Sequence, residues 1–262
     1  MVLNRFIPSL VICGESLEKT RNFIPYKYMG DPCNAVELYS RFGVDELAVI
    51  DISHKHVPSG NGRSPDGSNK FESPLFWKLL RNIASRAFMP LSFGGDLTTV
   101  KQVERVLNIG FEKVTLGRCW FKNPSFIDEC AKEFGSQSIQ VAIDYTETAG
   151  EHPRRVLVED PKHFINDVLN QLLDSGCGEV LLTSVTRDGK HGGLDLDALP
   201  DAYSLPVLIR GGANSIQNLE DAIDKGASGV VCSALFSLVS ERETVLINYP
   251  DDKLLNPLRF RH

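Results

Sequence analysis

The segment Gln140-Val-Ala-Ile-Asp144 has the pattern of a short buried strand that ends in a carboxylate. A similar segment, Arg5-Phe-Ile-Pro-Ser-Leu-Val11, lies 133 positions earlier in the chain, and Val11 there takes the place that corresponds to Asp144. This long-range similarity indicates that the chain consists of two related halves.

The repeat extends over the rest of the chain. The aligned pairs are Gly43–Asp51 with Gly176–Ser184 at the same offset, and Pro90–Asp96 with Pro206–Gly212 and Gly110–Gly117 with Gly226–Ser233 at an offset of 116. Each half thus has four short apolar strands separated by helix-length segments, which predicts parallel βα units. Two such sets predict an α/β fold, a single-domain (β/α)8 TIM barrel over residues 1–262 with half-repeats of about 1–134 and 135–262. Because catalytic residues of these barrels lie where strands end, Asp144 is a candidate functional residue.

Length, charge and cysteine content limit the possible functions. The 262 residues match one barrel of about 250 residues. The net charge of -6, with acids and bases interspersed, provides no basic stripe for nucleic acid, so we expect no nucleic-acid partner. Six scattered cysteines without a C-x-x-C pair favour neither a metal site nor disulfides. The apolar run Phe6–Cys13 is too short for a membrane span and is unlike a signal peptide, so we expect a cytoplasmic protein without membrane contact.

Two long polar segments interrupt the barrel pattern. Residues 13–31 predict a long loop on the catalytic face, which is typical of a lid. Residues 54–73 predict an inserted loop on the same face, because the repeat offset falls by about seventeen residues between the second and third strands. Side chains such as Arg63 and Lys70 make this insertion locally basic. Contact with an anionic ligand and a mobile, solvated loop both remain open interpretations.

Glycine-rich turns follow several strands and open onto helices, where free backbone N–H groups favour phosphate. In the second half, Arg210 adds a positive charge before Gly211 and Gly212, and a further turn contains Asp188-Gly189. In the first half, Asp96 would repel phosphate; alternatively, it caps the following helix. The second half is therefore predicted to be the stronger phosphate site.

A set of motifs carries a family resemblance over nearly the whole chain. They are Asn22-Phe23, Gly30-Asp31-Pro32, Asp45-Glu46-Leu47, Asp51-Ile52, Phe134-Gly-Ser-Gln137 with Val141-Ala-Ile-Asp144, Leu181-Leu-Thr-Ser184 with Arg187-Asp-Gly189, and Gly211-Gly-Ala213. With them the sequence resembles the cyclase subunit of imidazole glycerol phosphate synthase, the histidine-pathway barrel that receives ammonia from a glutaminase partner. The resemblance implies the same barrel fold, a glutaminase subunit at the N-terminal face of the strands, and no cofactor.

The resemblance also implies two aspartates that act as general acid and base, one ending the first strand and one ending the fifth. Asp144 matches the second aspartate, but Val11 stands at the first, and valine neither takes nor gives a proton. Asp96 replaces a glycine, and Gly117-Arg118 replaces an Asn-Thr pair, at one of the family's two phosphate sites. These departures argue against a substrate with a phosphate at each end.

The candidate site residues follow from the turns and the resemblance together. The candidate catalytic residues are Asp144 and Lys19, which would orient a ligand or seal the catalytic end. The candidate substrate-binding or phosphate-binding residues are Asp51, Gly95, Gly117, Thr183, Asp188, Gly189, Gly211, Gly212, Cys232 and Ser233, with Ser233 expected at the start of the last helix. No metal site is expected.

Four charged residues stand at the starts of strands, at the opposite mouth of the barrel. Arg5, Glu46, Lys113 and Glu179 match the family's salt-bridged gate through which ammonia enters. Charges buried at a barrel bottom are costly unless they are paired, so a purely structural ring remains the alternative. We favour the gate.

These observations lead to three hypotheses. In the first, the chain is a synthase-type subunit that channels ammonia from a glutaminase to a separate ATP-dependent amidotransferase, which converts an acetamido group into an acetamidino group on a surface-polysaccharide sugar. In the second, it is a working cyclase of histidine biosynthesis that uses another acid, such as Asp51, Cys13 or Asp96. In the third, it is a non-catalytic scaffold that activates a glutaminase. A phosphorylated or sugar small molecule is the expected ligand in the first two.

Overall fold

The computed structural model describes residues 3–53, 69–147, 154–157, 163–239 and 244–261. Its strands are β1 (Arg5–Cys13), β2 (Ser16–Arg21), β3 (Ile24–Gly30), β4 (Leu47–Asp51), β5 (Leu91–Gly94), β6 (Lys113–Leu116), β7 (Ile139–Thr146), β8 (Arg155–Val156), β9 (Glu179–Ser184), β10 (Val207–Arg210), β11 (Gly229–Cys232), β12 (Leu238–Val239) and β13 (Thr244–Val245). Its α-helices are α1 (Pro32–Phe42), α2 (Pro74–Ala84), α3 (Val100–Ile109), α4 (Cys119–Lys122), α5 (Ser125–Phe134), α6 (Ile165–Leu172), α7 (Ile216–Asp224), α8 (Ala234–Ser237) and α9 (Asp252–Arg259).

Within these residues, eight parallel strands close into a barrel. Each of β1, β4, β5, β6, β7, β9, β10 and β11 pairs in parallel with the next, and β11 pairs in parallel with β1. Strands β9, β10 and β11 are buried along their whole length, as expected for a sheet with helices outside and side chains inside. The structure confirms the predicted (β/α)8 barrel.

Helix boundaries follow local sequence signals. Gly43 ends α1 as its C-cap, in the left-handed region at φ 67°. Thr99 caps α3 and forms a capping box with Gln102. Capping by Asp96 was therefore the wrong alternative, because a hydroxyl residue stands at the position where it can accept from the N–H of the third helical residue.

Residues 13–31 form a β-hairpin, and the predicted long loop is wrong. Strands β2 and β3 extend the barrel sheet by antiparallel pairing to the end of β1. Asn22 and Phe23 form the turn, with φ 51° and 65°. Two consecutive residues in the left-handed region are typical of a tight hairpin turn. Such a turn usually contains glycine, and this one has none, so the hairpin could not be recognised from the usual turn residues. Residues 54–68 of the predicted insertion lie outside the described residues.

The placement of Ser233 also needs a correction. This residue precedes α8, a single turn, and α9 is the last helix in the described part of the chain. The strands β12 and β13 separate the two, because the segment after α8 turns back as a short antiparallel pair. Among the described helices, none is long and apolar enough to cross a bilayer.

Successive side chains of a strand point to opposite faces of the sheet, so the inward-facing side chains of the barrel lie in layers along its axis. Residues at the starts of strands lie at the N-terminal mouth, and residues four to six positions later on the same face lie at the C-terminal mouth. A small apolar cluster of side chains from β1, β4, β9, β10 and β11 is separate from the main core and lies between the two mouths; it comprises Ile7, Ala48, Leu181, Leu208 and Val231. The barrel therefore has two polar ends, with an apolar cluster from five of its strands between them.

Candidate functional site

A cavity opens at the carboxyl ends of the barrel strands and encloses about 730 Å³, including space open to solvent. Its lining residues are Val11, Thr20, Phe23, Ile50, Asp51, Ile52, Gly94, Gly95, Asp96, Thr115, Gly117, Arg118, Ala142, Asp144, Leu181, Thr183 and Arg210. The position is that of active sites in barrels of this kind.

Asp144 and Val11 lie on opposite walls of this cavity. Asp144 lies four residues beyond Gln140 on β7, and Val11 lies six residues beyond Arg5 on β1, so each pair shares the inward face of its strand. Val11 is buried. The position at which the resemblance implies a first catalytic carboxylate is thus occupied by an apolar side chain, and Asp144 has no acidic counterpart there.

Asp51 lines the cavity but is bonded on both carboxylate oxygens. Its Oδ2 lies 2.6 Å from Nζ of Lys70, and its Oδ1 accepts hydrogen bonds from Ser53 N at 2.9 Å and Ser53 Oγ at 2.5 Å. Gly95 packs against this ion pair. A Cβ added to Gly95 would lie 2.9 Å from Cβ of Asp51 and 3.2 Å from Nζ of Lys70. The glycine is therefore needed for close packing at this point.

The wall formed by the first half carries charges of both signs. Asp96 and Arg118 line it beside Gly95 and Gly117. Asp96 has φ 55°, an uncommon backbone conformation for a residue other than glycine. A carboxylate in the turn after β5 is unfavourable for phosphate, and the weaker phosphate site in this half stays a prediction.

The wall formed by the second half contains Thr183 and Arg210. Arg210 NH2 lies 3.9 Å from Asp188 Oδ1. Asp188 does not line the cavity but accepts hydrogen bonds from Thr20 Oγ1 at 2.8 Å and Phe23 N at 3.0 Å. Its carboxylate therefore holds the β2–β3 hairpin against the turn after β9.

The predicted phosphate-binding glycines of this half are needed for close backbone contacts. A Cβ on Gly189 would lie 2.0 Å from Thr20 O, one on Gly211 2.6 Å from Ser184 O, and one on Gly212 2.2 Å from Gly193 O. All three have positive φ. Packing alone thus requires these glycines, and none of them lies on the cavity wall.

Lys19, Cys232 and Ser233 also lie away from the cavity wall. Lys19 is a buried residue of β2. Burial raises the pKa of the Cys232 thiol to about 12, although the positive charges of Lys19 and Arg210 act to lower this pKa. Burial, together with Asp51 and Glu18, raises the pKa of Cys13, whereas a proton-shuttling thiol there would need a lowered one.

The four charges predicted at the N-terminal mouth form a closed ring of ion pairs. Arg5 pairs with Glu46 at 2.5 Å and with Glu179, and Lys113 Nζ lies 3.0 Å from Glu46 Oε2 and 3.4 Å from Glu179 Oε2. Burial alone would lower the pKa of Arg5, but the charges of Glu179 and Glu46 raise it above its ordinary value. The ring is thus electrostatically satisfied, with both glutamates buried and both cations partly exposed at the mouth.

Comparison with known proteins identifies the family of this chain. A family model described as histidine biosynthesis protein matches residues 7–239. The chain belongs to the histidine biosynthesis protein family. Within it, a relative from Leptospira interrogans is 35% identical over 259 residues, covering 96% of each chain, and is provisionally named imidazole glycerol phosphate synthase subunit HisF.

Two further members of the histidine biosynthesis protein family are similar over the full barrel. One from Vibrio vulnificus, provisionally named subunit hisF3 of the same synthase, is 33% identical over 258 residues, or 95% of this chain and 94% of its own. One from Pseudomonas aeruginosa, provisionally named subunit hisF2, is 31% identical over 262 residues, or 96% and 97%. The family resemblance seen in the sequence motifs is therefore confirmed.

For this family member, sequence reasoning missed two features of the site. The first is the pairing of Lys70 with Asp51, for which the basic insertion gave only a general signal. The second is a clamp in which Glu147 accepts from Arg187 Nε at 2.7 Å and NH2 at 2.9 Å, and from Ser184 and Thr186 hydroxyls. The hydrogen bonds of Arg187 hold the pKa of Glu147 below its usual range, against the effect of burial. Both features join residues distant in sequence.

Proposed function

We propose that this chain is the barrel subunit of a glutamine-dependent synthase, which accepts ammonia from a separate glutaminase at its N-terminal mouth. The observation that carries this proposal is the ring of Arg5, Glu46, Lys113 and Glu179, paired at the mouth opposite the ligand cavity with both glutamates buried. The names of the relatives, as subunits of a synthase, support it.

A line of polar groups from the ring to the cavity supports passage of ammonia through the barrel. Gln140 Nε2 donates to Glu179 Oε2 at 2.8 Å, and Thr115 Oγ1, on the cavity wall, donates to Gln140 Oε1 at 2.7 Å. Glu46 Oε1 and Ser9 Oγ are buried without a hydrogen-bond partner in the described part of the protein. Because a buried acceptor left unpaired is costly, these atoms suit a small donor such as ammonia.

Exposed apolar side chains around the same mouth support docking of the glutaminase there. Phe88, 90% exposed, lies in the connection from α2 to β5, and Phe42 ends α1 beside it. Ser40 links the two segments, because its hydroxyl donates to Arg86 O and accepts from Phe88 N. Leu3 and Phe260 are also exposed, at the chain ends that meet through Asn4 and Arg259. Exposed apolar groups of this kind are typical of protein interfaces.

The ring can be tested with single neutralising substitutions. Lys113→Met leaves Glu46 and Glu179 with one cation instead of two, so we expect the ring to shift and ammonia transfer to fall. Glutamine-dependent turnover should drop by about tenfold while turnover with added ammonium chloride stays within about twofold of wild type. The matched control is Lys132→Met, which removes an exposed lysine of α5. Equal losses with both nitrogen sources would contradict a gate.

Two acceptors for the ammonia have separate support. The relatives' names favour the cyclase reaction of histidine biosynthesis. The replacement of the family's first catalytic aspartate by Val11 favours the other acceptor, an acetamido sugar that a separate ATP-dependent amidotransferase converts into its acetamidino form. The barrel and its gate are common to both.

One measurement separates the two acceptors. Ammonia-dependent turnover of the family's cyclase substrate is compared for wild type and Val11→Asp, with Val11→Asn as the isosteric control that cannot transfer a proton. Turnover by wild type supports the cyclase, with another group as the acid. If only Val11→Asp is active, we expect its turnover to exceed that of wild type at least about a hundredfold. This result would identify a cyclase site that lacks its acid and would support amidination. If wild type, Val11→Asp and Val11→Asn all fail to turn over this substrate, the cyclase reaction is excluded for this chain.

A further inference from the structure

Lys70 and Asp51 form a buried ion pair at the cavity wall, where Asp51 lines the cavity and Lys70 lies behind it. Their side chains are only 4% and 1% exposed, and Lys70 Nζ lies 2.6 Å from Asp51 Oδ2. The ammonium group also lies 5.0 Å from the ring centre of Phe71 and 5.7 Å from that of Phe76. A buried lysine needs a close anion, so each of the two charges depends on the other.

Within the described residues, the hydrogen bonds of Asp51 leave one acceptor position for a ligand. An ionised carboxylate offers about four lone-pair positions, two on each oxygen. On Oδ1 they are taken by Ser53 N and Ser53 Oγ, and on Oδ2 one is taken by Lys70. Because Asp51 lines the cavity, the remaining position can accept one hydrogen bond from a ligand. The dianion of a phosphate monoester has no hydrogen to donate and cannot use it.

Lys70 also sets the net charge of this wall. In the described residues, Asp51, Asp96 and Arg118 line the cavity on the side of β4, β5 and β6, and Lys70 lies just behind them. With Lys70 the formal charges cancel, whereas without it the wall would carry one negative charge. A neutral wall with a single fixed acceptor neither attracts nor requires an anion.

We propose that Lys70 is a positioning residue that fixes the Asp51 carboxylate and cancels its charge, so that the ligand places an uncharged hydrogen-bond donor, such as a hydroxyl, against Asp51. The inference rests on the cavity being the ligand site of the proposed function. It assigns the ligand a polar, uncharged end on the side of the first half-barrel. Any phosphate then binds elsewhere in the cavity.

The first test measures inorganic phosphate binding to the purified chain alone by calorimetry. Asp51→Asn removes the anion and leaves the ammonium of Lys70 uncompensated beside the turn after β5. We expect this variant to bind phosphate at least about tenfold more tightly than wild type. Asp51→Leu combined with Lys70→Met removes both charges and should return the affinity to the wild-type value. Asp128→Asn, which removes an exposed acid of α5, is the control and should change nothing.

The second test asks whether the Asp51 carboxylate accepts a hydrogen bond from a ligand. It measures the affinity for ribose 5-phosphate, a probe that carries hydroxyl groups and one phosphate. The double variant keeps the wall neutral but removes the acceptor, so its affinity for the probe should fall at least about fivefold below wild type. Lys70→Arg, which keeps the cation beside Asp51, should retain most of the wild-type affinity. Equal affinities of wild type and double variant, including no binding by either, would overturn the donor assignment.

Folding of the variants is checked by circular dichroism. If Asp51→Asn does not fold, the double variant decides, because replacing a buried ion pair by apolar groups of similar size usually preserves folding. Loss of phosphate binding in the double variant would show that Lys70 itself holds phosphate and would overturn the proposal, as would unchanged phosphate affinity in folded Asp51→Asn. Neither measurement uses ammonia or a glutaminase, so failure here is distinct from failure of the proposed function.

Discussion

At the scale of single residues, similar backbone angles at two glycines have different causes. Gly14 and Gly189 have φ 61° and 68°, but a Cβ on Gly14 would meet nothing within 4 Å, whereas one on Gly189 would lie 2.0 Å from Thr20 O. The first glycine is required only by its conformation. The second is required also by contact between the hairpin and the turn after β9.

Substitution of these glycines by alanine should therefore have unequal costs. Gly14→Ala is expected to lower the free energy of unfolding by about 1 kcal/mol, the cost of a left-handed alanine. Gly189→Ala should cost about 3 kcal/mol or more, because either the hairpin or the turn must move. Urea denaturation of the two variants gives the comparison. Equal losses would mean that the close approach to Thr20 relaxes at no cost.

At the scale of elements, the β2–β3 hairpin depends on a carboxylate from the opposite half of the barrel. Asp188 accepts hydrogen bonds from Thr20 Oγ1 and Phe23 N, and Asp188 O accepts from Asn22 N. Phe23 is in the left-handed region, which is unfavourable for an aromatic residue without such support. The turn conformation is therefore imposed by tertiary contacts.

Removal of this carboxylate should loosen the hairpin selectively. Asp188→Ala leaves the Phe23 N–H and Thr20 hydroxyl without their acceptor, so amide hydrogen exchange in residues 16–30 should become at least about tenfold faster. The amides of β9 and β10 in the barrel wall should keep their protection. Asp128→Ala, on the exposed face of α5, serves as the control. Uniform acceleration across the barrel would instead indicate global destabilisation.

At the scale of the whole molecule, the two mouths of the barrel should bind different partners. Phe88 is 90% exposed near the N-terminal mouth, and Leu75 is 61% exposed at the start of α2, near the C-terminal mouth. These two exposed apolar residues allow a matched comparison between the mouths.

Phe88→Asp should weaken binding of the glutaminase by about tenfold or more, because it places a charge in an apolar interface. Leu75→Asp should leave the affinity unchanged within about twofold. Surface plasmon resonance with the immobilised barrel and a purified glutaminase measures both. A reversed order of effects would place the glutaminase at the cavity end.

The sequence by itself determined the barrel, because the fold depends on repeated local signals. Apolar strands and helix-length spacings recur through the chain, and Arg5, Glu46, Lys113 and Glu179 were recognised as strand starts that match the gate of the family. The internal repeat and the end of the fifth strand placed Asp144 and Val11 at the cavity end. These predictions needed only the bounds of the strands, their order and the resemblance.

Only the tertiary structure decided which side chains pair across the barrel. The Lys70–Asp51 pair spans 19 positions, the Glu147–Arg187 clamp 40, and the Asp188–Thr20 contact 168. The hairpin in residues 13–31 could not be predicted from the sequence either, because Asp188, a residue distant in sequence, holds its turn in place. Local patterns specify the faces of strands and helices, whereas charge pairing and close backbone contacts depend on distances set by closure of the whole barrel.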